Sequence, residues 1–491
     1  MCPSPKNFQP KADENLRAPE QPDSPERRRF LHTLACSASL AAVPAALPAW
    51  SQANTSATTP AAAPAPKAAW QNWSGSQKAS PANIFYPDSE EALTKILRST
   101  KGQLRAFGGG HSFSAVVPTN ASGNLVSLEA LNGLVNHDAT ALTATFRAGT
   151  RVASTGPLLQ AVGQGLLNEA DINMQSLGGA ISTATHGTGR QLPCYSATVK
   201  ALQLVMADGS SVYCSPEKER DLFEAARVAI GSVGILSQVT LQNRAAYRLR
   251  EQVNVMTIAD AIRALESDRD KHRHMEFFAF PFGEKAIVKR MDITQEAATK
   301  IETPFIDENE ILEFAADTAR QHPWTNRWWQ RLVGAFVSDS MRIGKSWEIF
   351  ASPRTVGFNE MEYAVPAERG LECFQEVLAV MRREQVNVFF PIEFRYVAAD
   401  ECWMSPFYQR ASACISVHQY YKQEYQSFFR LIEPVFQKYQ GRPHWGKIHT
   451  LTAKELRQLY PRFDDFVKVR QKADPDGRFL NDYARKLFLR P

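Results

Sequence analysis

Three glycine-bearing loops between Gly108 and Leu241 constrain this chain more than any other feature of its sequence. They read RAFGGGHSFS (105–114), QSLGGAISTATHGTGR (175–190) and IGSVGILSQVTL (230–241). Glycine costs backbone entropy on folding, but it lets backbone amides approach a bound group closely, and oriented amides suit phosphate oxygens. Hydroxyl side chains within the loops add donors: Ser112, Ser176, Ser182, Thr183 and Thr185. The set predicts a site for a large phosphate-bearing ligand, although the spacing alone also suits three glycine turns in a β-rich domain.

The segment around these loops predicts an α+β domain. Short strands and glycine turns follow one another from about Leu104 to Asn243, and Asp208-Gly209 marks the tip of a hairpin. Ser89, which precedes two glutamates and apolar residues at helical spacing, predicts a capped helix before the first loop. No GxGxxG motif opens a helix after a strand, which disfavours a Rossmann nucleotide fold.

Residues 1–53 have the pattern of a targeting segment. Arg27 and Arg28 precede an Ala-rich apolar run that Pro44 and Pro48 interrupt, and this run is too short to span a bilayer stably. We expect a twin-arginine signal peptide that is cleaved after Ala53, a Pro/Ala-rich linker over 54–69, and a periplasmic protein without a stable membrane span. A basic leader without export and a lipoprotein site at Cys36 are the alternatives.

Composition excludes some partners. The 491 residues carry a formal net charge of +5, which is too mild and too scattered to indicate a nucleic-acid partner. Five cysteines follow the leader, none of them in a CxxC motif or at a His/Cys metal spacing: Cys194, Cys214, Cys373, Cys402 and Cys414. We expect scattered buried thiols and no metal site, and one disulfide stays open.

Catalytic candidates lie in the second half of the chain. PIEFRYV alternates as a strand, so Glu393 and Arg395 point to one face, either as a polar site or as a salt bridge. HWGKIH places Lys447 beside a tryptophan and two histidines, in a functional loop or a surface loop. SVHQYY places His418 on a strand, with Gln419 facing the opposite way.

In this order the motifs resemble the vanillyl-alcohol-oxidase group of FAD flavoproteins, and within it the sugar-1,4-lactone and alditol oxidases. The resemblance includes the gulonolactone, arabinonolactone and galactonolactone enzymes, and it runs from about Trp70 to the C-terminus. It implies a two-subdomain FAD-binding domain over 70–243 and an α+β cap domain over 244–427. It also implies that residues 428–491 return to close the active site.

The resemblance also implies site residues. It places FAD against a set in the three loops, with His111 as the covalent attachment point: Gly108, Gly109, Gly110, His111, Ser112 and Phe113, then Ser176, Gly178, Gly179, Thr183, His186 and Gly187 at the pyrophosphate, then Gly231, Gly234 and Ile235 along the adenosine. It places Glu393, Arg395 and Lys447 in the substrate pocket, with His418 as a further member. No metal is implied.

The implied reaction is hydride transfer from a substrate carbinol to the flavin, with electrons passed on to O2, a cytochrome or a quinone. The implied substrate is an L-gulono-, L-galactono- or D-arabinono-1,4-lactone. An alditol is the alternative, and a non-catalytic flavin- or carbohydrate-binding protein is a remote one. Gln419-Tyr420-Tyr421 is bulkier than the segment expected in alditol oxidases, which favours a lactone. The residue that accepts the hydroxyl proton stays open.

Overall fold

A computed structural model describes residues 69–300, 308–352 and 354–489, which belong to one compact unit. The predicted signal peptide and nearly all of the predicted linker lie outside these residues, including Arg27, Arg28, Cys36 and Ala53. Within the described ranges, no helix has the length and apolar character needed to cross a membrane.

Nineteen strands and thirteen helices make up the described part of the chain. The strands are β1 Trp70–Gln71, β2 Lys78–Ala79, β3 Asn83–Phe85, β4 Leu104–Phe107, β5 Asn124–Ser127, β6 Leu134–Asp138, β7 Thr143–Arg147, β8 Gln164–Leu166, β9 Val199–Val205, β10 Ser211–Cys214, β11 Ile235–Ala245, β12 Arg248–Thr257, β13 His274–Ala279, β14 Lys285–Thr294, β15 Ser340–Lys345, β16 Phe358–Pro366, β17 Ile392–Val397, β18 Ser412–Tyr420 and β19 Arg442–Pro443. The helices are α1 Glu90–Ser99, α2 Val152–Ala161, α3 Leu177–Ser182, α4 Arg220–Ala226, α5 Ile258–Asp268, α6 Glu308–Gln321, α7 Asn326–Phe336, α8 Ser346–Phe350, α9 Gly370–Arg383, α10 Gln426–Lys438, α11 Ala453–Leu459, α12 Phe463–Ala473 and α13 Asp482–Phe488.

The first half of the chain forms three sheets, as the α+β prediction requires, and the smallest of them is the antiparallel pair of β1 and β2. Strands β3, β5 and β4 make a parallel three-stranded sheet, and β10, β9, β11, β7 and β6 make an antiparallel one to which β8 adds at β11. Ser89 caps α1 by accepting a hydrogen bond from Ala92 N at 3.2 Å. Gly209 turns the β9–β10 hairpin with a φ of +78°. The predicted capped helix and hairpin are therefore confirmed.

The second half is built on an antiparallel eight-stranded sheet, in the order β15-β12-β14-β13-β17-β18-β16-β19. One face of its central strands is apolar and packs against helices. Phe277 and Phe394 stack at 5.2 Å, Phe277 contacts Phe374 of α9 at 4.8 Å, and Tyr363 contacts Phe436 of α10 at 5.0 Å. Because side chains alternate along a strand, the residues between these aromatic groups point to the opposite face.

That opposite face is lined with buried polar and ionisable side chains. Cross-strand pairs fix them in one patch: Glu276 opposite Arg395, Glu393 opposite Ser416, Glu362 opposite Ser416, and Glu360 opposite His418. Burying this many charges is costly unless each one finds a partner, so a sheet carries such a face where chemistry requires it.

The C-terminal segment returns to the first half of the chain. Leu104 N donates to Arg478 O at 3.0 Å, and the Arg478 guanidinium donates to Leu97 O and Ala207 O. On the way, the segment adds β19 to the edge of the large sheet beside β16. This path carries the HWGK sequence between the two halves.

The five cysteines in the described residues are free, buried thiols. The expectation of scattered buried thiols is confirmed for this part of the chain, and the disulfide alternative is not observed there.

Candidate active site

The three glycine loops contact one another. A Cβ at Gly108 would lie 1.8 Å from Ser176 Oγ, so only glycine lets the first loop pass this close to the second. Ile230 N donates to Ser182 O at 3.0 Å, which joins the third loop to the second. The buried guanidinium of Arg105 donates to Gly231 O at 2.6 Å, which joins the third loop to the strand that leads into the first.

Backbone donors in two of these loops lack protein acceptors. Among the described residues, the N–H groups from Gly108 to Ser112 donate no hydrogen bond, and neither do those of His186, Gly187 and Thr188, which are buried. Buried amides are almost always paired. These unpaired backbone N–H groups can donate to the pyrophosphate oxygens of a dinucleotide, and the glycines leave room for it to approach the backbone. The residues present therefore suit FAD.

The individual second-loop residues support this arrangement. Ser176 caps the short helix α3 by accepting from Gly179 N at 3.4 Å, and Thr183 Oγ1 donates to Gly179 O at 3.0 Å. A Cβ built at Gly178 would lie 3.1 Å from Ala148 Cβ, which is a tight contact. Gly187 has no room for a side chain, because a Cβ there would lie 2.0 Å from Glu169 O.

The third loop is half-buried at Gly231 and buried from Ser232 to Ile235. Gly231 has a φ of +64°, a left-handed conformation that favours glycine, whereas a Cβ at Gly234 would meet Met206 and Val205 only at ordinary contact distances. The Ile235 side chain lies in the hydrophobic core of the first half. Of the three residues expected along the adenosine, Ile235 therefore has its side chain turned into the core, and it pairs with Val205 in the sheet.

The His111 ring belongs to a series of aromatic contacts that reaches β18 of the large sheet. Its ring stacks on Trp73 at 5.5 Å, Trp73 contacts Phe358 at 5.1 Å, and Phe358 contacts His418 at 5.0 Å. Burial, together with the charges of Arg151 and Lys447, lowers the pKa of His111 to about 4. The imidazole is therefore neutral at physiological pH.

The four predicted catalytic side chains come together on the polar face. Arg395 pairs with Glu393 on its own strand and lies 3.5 Å from Glu276 Oε2 on the next strand. Both interpretations of PIEFRYV therefore hold in part, because the ion pair exists and it is buried within a polar cluster. A carboxylate oxygen of Glu393 and a ring nitrogen of His418 lie within 4.8 Å of each other.

The HWGK sequence is not a surface loop. Trp445 and His444 are buried, and Trp445 Nε1 donates to Met404 O at 2.6 Å. Phe113 N donates to Gly446 O at 2.7 Å, and Ser114 Oγ donates to Trp445 O at 2.7 Å. The first glycine loop and the Lys447 loop are thus hydrogen-bonded to each other, and the Lys447 ammonium lies 5.0 Å from the centre of the Phe113 ring.

Glu360 is the central member of this cluster, and the motifs did not single it out. Its carboxylate forms an ion pair with Lys447, and its Oε1 lies 3.6 Å from His418 Nε2. Burial alone would raise the pKa of Glu360, but the Lys447 charge and the contact with His418 outweigh it and hold the pKa at about 2. Glu360 is therefore ionised at neutral pH and balances the charge of Lys447.

Glu362, two residues further along β16, contacts the second glycine loop instead. Its Oε1 lies 2.6 Å from His186 Nε2, and its Oε2 accepts from Ser416 Oγ at 2.8 Å. The pKa of Glu362 is held well below its usual range, because His186, His444 and Lys447 outweigh the effect of burial. One strand thus contacts both the loop that carries unpaired amides and the Lys447 loop.

The bulky residues after His418 lie at the end of this cluster. Tyr420 is fully buried, stacks with Phe390 at 6.2 Å, and directs its hydroxyl toward Glu313 at 3.4 Å. Gln419 faces the other way, as expected, and donates to Asn387 O at 3.3 Å.

Comparisons with known proteins agree with this architecture. Residues 239–487 match the D-arabinono-1,4-lactone oxidase family, and residues 81–215 match the FAD binding domain family. The chain is 37% identical to L-gulono-1,4-lactone dehydrogenase of Mycobacterium tuberculosis over 85% of this chain and 98% of that protein. It is 29% identical to L-gulonolactone oxidase of Mus musculus, again over 85% and 98%.

A solved structure shares the fold at low identity. Cholesterol oxidase from B. sterolicum superposes with a TM-score of 0.72 at 16% identity, covering 86% of this chain and 96% of that one. The likeness shows the fold alone, and it confirms the α+β fold class expected from the sequence. The two family matches and the 37% identical relative show that the chain belongs to the D-arabinono-1,4-lactone oxidase family and is an FAD-dependent oxidoreductase acting on CH–OH groups.

Proposed function

We propose that the protein oxidises a ring carbinol of a sugar 1,4-lactone of the L-gulono, L-galactono or D-arabinono type. The observation that carries the proposal is the contact between the first glycine loop and the Lys447 loop over the polar face of the large sheet. This contact supports the proposal because it brings donors and carboxylates that suit a polyhydroxylated ring beside a loop whose unpaired amides suit the cofactor. Recognition of such a ring rests on hydrogen bonds to its hydroxyls and carbonyl.

Arg395 and Lys447 are the cationic donors of the site. Both are held by carboxylates, Arg395 by Glu393 and Lys447 by Glu360, so their side chains are fixed before a substrate arrives. Fixed donors stabilise negative charge that develops on a substrate oxygen without reorganising at the moment of reaction. Glu393 can accept a hydrogen bond from a neighbouring substrate hydroxyl.

His418 is the side chain best placed to take the hydroxyl proton. Its Nδ1 lies 3.0 Å from Pro391 O, and because a carbonyl only accepts, Nδ1 carries the hydrogen. When the ring carries this single hydrogen, Nε2 is the nitrogen that can receive a proton, and Glu360 at 3.6 Å would stabilise the resulting imidazolium. FAD, when bound, supplies the hydride acceptor for the carbinol carbon.

We also propose that FAD is attached covalently through His111. A neutral imidazole is the nucleophilic form, and the low pKa of His111 keeps the ring in that form. Acid-precipitated protein tests this: yellow colour should remain with the wild-type pellet and wash out of the His111→Ala pellet. Colour that washes out of the wild type would overturn the covalent bond without affecting the proposed substrate.

Substrate class is tested by steady-state turnover with a dye acceptor. We expect oxidation of L-gulono-, L-galactono- or D-arabinono-1,4-lactone at a kcat/KM well above that for xylitol and sorbitol. Turnover of the polyols alone would establish an alditol oxidase instead. The same assay with O2 as sole acceptor, read as peroxide formed, separates an oxidase from a dehydrogenase that uses a cytochrome or quinone.

Export by the twin-arginine route remains part of the proposal, and it rests on the sequence around Arg27 and Arg28. Replacing both arginines with lysine should leave the protein in the cytoplasm. Periplasmic accumulation of that variant would remove the twin-arginine assignment.

A further inference from the structure

Two tryptophans on the cap side of the molecule are exposed to an unusual degree. Trp324 is 81% exposed and Trp328 is 56% exposed, in the turn before α7 and in the first part of α7 itself. Tryptophan is among the most buried residue types on average. Because the 3-10 turn Pro323–Thr325 leads directly into α7, the two exposed rings belong to one short surface segment.

The exposure does not come from a loosely attached helix. Asn326 Nδ2 donates to Val388 O at 2.9 Å, and Gln330 Nε2 donates to the same oxygen at 2.8 Å. Trp329 is buried and contacts Phe314 at 5.8 Å. One side of α7 is therefore fixed to the cap, and that attachment presents Trp324 and Trp328 outward.

The charged residues of the segment from Trp324 to Arg331 are all basic. Arg327 and Arg331, also four residues apart, are exposed, and no Asp or Glu occurs in residues 318–338. The nearest acids of α6 are already engaged, Asp317 with Lys422 at 2.8 Å and Glu313 with Lys422 at 3.6 Å. In the described residues, Arg327 pairs with the neutral Gln385 and stacks over Phe282, and no ion pair is formed by Arg331.

This combination fits the interface of a lipid bilayer. Tryptophan is enriched at the headgroup level of membranes, where one part of its ring is apolar and another is wet. Helices that lie in the interface carry Trp on one side and Arg or Lys on the polar side, and the cations are attracted to anionic lipids. A sugar or nucleotide ligand would require a concave polar site, which the outward-facing rings do not provide.

We propose that the segment from Trp324 to Arg331 docks the protein reversibly on a membrane surface that contains anionic phospholipid. Trp324 and Trp328 enter the headgroup region, and Arg327 and Arg331 contact lipid phosphates. The proposal is independent of the substrate of the enzyme, because none of these residues lies in the cluster around Glu360.

Vesicle co-sedimentation of the full-length holoprotein tests the proposal. Vesicles of phosphatidylcholine alone are compared with vesicles of phosphatidylcholine and phosphatidylglycerol, for the wild type, Trp324→Ser/Trp328→Ser and Arg327→Gln/Arg331→Gln. The matched control is Tyr86→Ser/Tyr213→Ser, which removes two other exposed aromatic side chains. Turnover of a soluble substrate should be the same in all four proteins and shows that each one is folded.

We expect the wild type and the tyrosine control to bind the anionic vesicles at least tenfold more strongly than the tryptophan variant. The arginine variant should bind both vesicle types weakly and alike, and salt should weaken wild-type binding because it screens the phosphates. Because the chain has nine tryptophans, the fluorescence shift on vesicle addition is read as wild type minus tryptophan variant.

Equal vesicle binding by the wild type and the tryptophan variant would overturn the proposal, since binding would then come from another part of the chain. Absence of wild-type binding to anionic vesicles would overturn it as well. If the tryptophan variant instead changes the oligomeric state in solution without vesicles, the face joins two copies of the chain and the membrane assignment is wrong.

Discussion

His418 and Glu360 face each other across neighbouring strands, with Nε2 and Oε1 3.6 Å apart. The same carboxylate holds the Lys447 ammonium, so one side chain sets the positions of two others that come from different parts of the chain. Two residues along the strand, Glu362 makes the equivalent contact with His186 in the cofactor loop. Strand β16 therefore contacts both the second glycine loop and the Lys447 loop, and we expect it to align the cofactor side and the substrate side of the site.

Replacing Glu360 tests this alignment at the substrate side. Glu360→Gln keeps the shape of the side chain but removes the charge that fixes Lys447 and stabilises protonated His418. We expect kcat to fall by about 10²-fold, the usual value of an acid–base interaction, with flavin content unchanged. The pH dependence of kcat/KM should also change, which a purely structural role would not produce.

Glu372→Gln is the matched control for that experiment, because Glu372 lies exposed on α9 and makes a similar ion pair with Arg369. It should keep the wild-type rate and pH profile. A Glu360→Gln enzyme with wild-type kcat would show that the Glu360 carboxylate positions nothing of importance to the reaction.

Replacing Glu362 tests the cofactor side. In Glu362→Gln, His186 loses its charged partner, and the loop that presents the amides of His186, Gly187 and Thr188 is less firmly held. Loss of a buried charged hydrogen bond costs about 1.5–3 kcal/mol, so we expect a lower ratio of flavin to protein in the purified enzyme and a lower Tm. Turnover per bound flavin should change far less than in Glu360→Gln.

Ser416→Ala provides the comparison, since Ser416 donates to the other oxygen of Glu362. It should reduce flavin content less than Glu362→Gln does, because the His186 contact is kept. Full flavin occupancy and an unchanged Tm in Glu362→Gln would contradict a role for this contact in holding the cofactor loop.

The pH dependence of stability should reveal Glu169, which lies beneath Gly187. Burial, which outweighs the Ser346 hydrogen bond and the Arg273 charge, raises the pKa of Glu169 from 4.5 to about 8. Between these values the folded protein keeps a proton that the unfolded chain releases. The stabilisation is therefore complete below pH 4.5 and is lost as the pH rises through 8, by up to about 1.4 kcal/mol per pH unit.

Glu169→Gln should remove this slope, because the amide does not titrate. Denaturant unfolding of the wild type and the variant at several pH values in this range measures the difference in free energy of unfolding, with exposed Glu129→Gln as the control. Parallel pH profiles for the wild type and Glu169→Gln would show that Glu169 is ionised in the folded protein.

The parts of the site that the sequence predicted are those with local patterns. Glu393 and Arg395 share a face because strands alternate, and Gly108 signals close approach because glycine alone fits beside Ser176. Glu360 and Glu362 have the same two-residue spacing, yet carboxylates at this spacing are common on exposed strands. Their partners lie far away in sequence, so only the pairing of β16 with β18 and the return of the C-terminal segment identify them.

His186 shows the same limit from the cofactor side. Its loop was expected to offer backbone amides, and the unpaired N–H groups agree with that. The side-chain contact with Glu362 spans 176 residues of sequence and has no local signature. Likewise, the burial of HWGK depends on Met404 and on the first glycine loop, neither of which is near it in the chain.

Anaerobic mixing of the holoenzyme with L-gulono-, L-galactono- or D-arabinono-1,4-lactone is the decisive experiment for lactone oxidation. We predict that at least one lactone bleaches the oxidised flavin absorbance in a single turnover. Arg395→Met, which removes a fixed donor, should slow this bleaching by about 10²-fold or more while retaining flavin. Flavin that stays oxidised with every lactone, yet is reduced by xylitol or sorbitol, would contradict the proposed function.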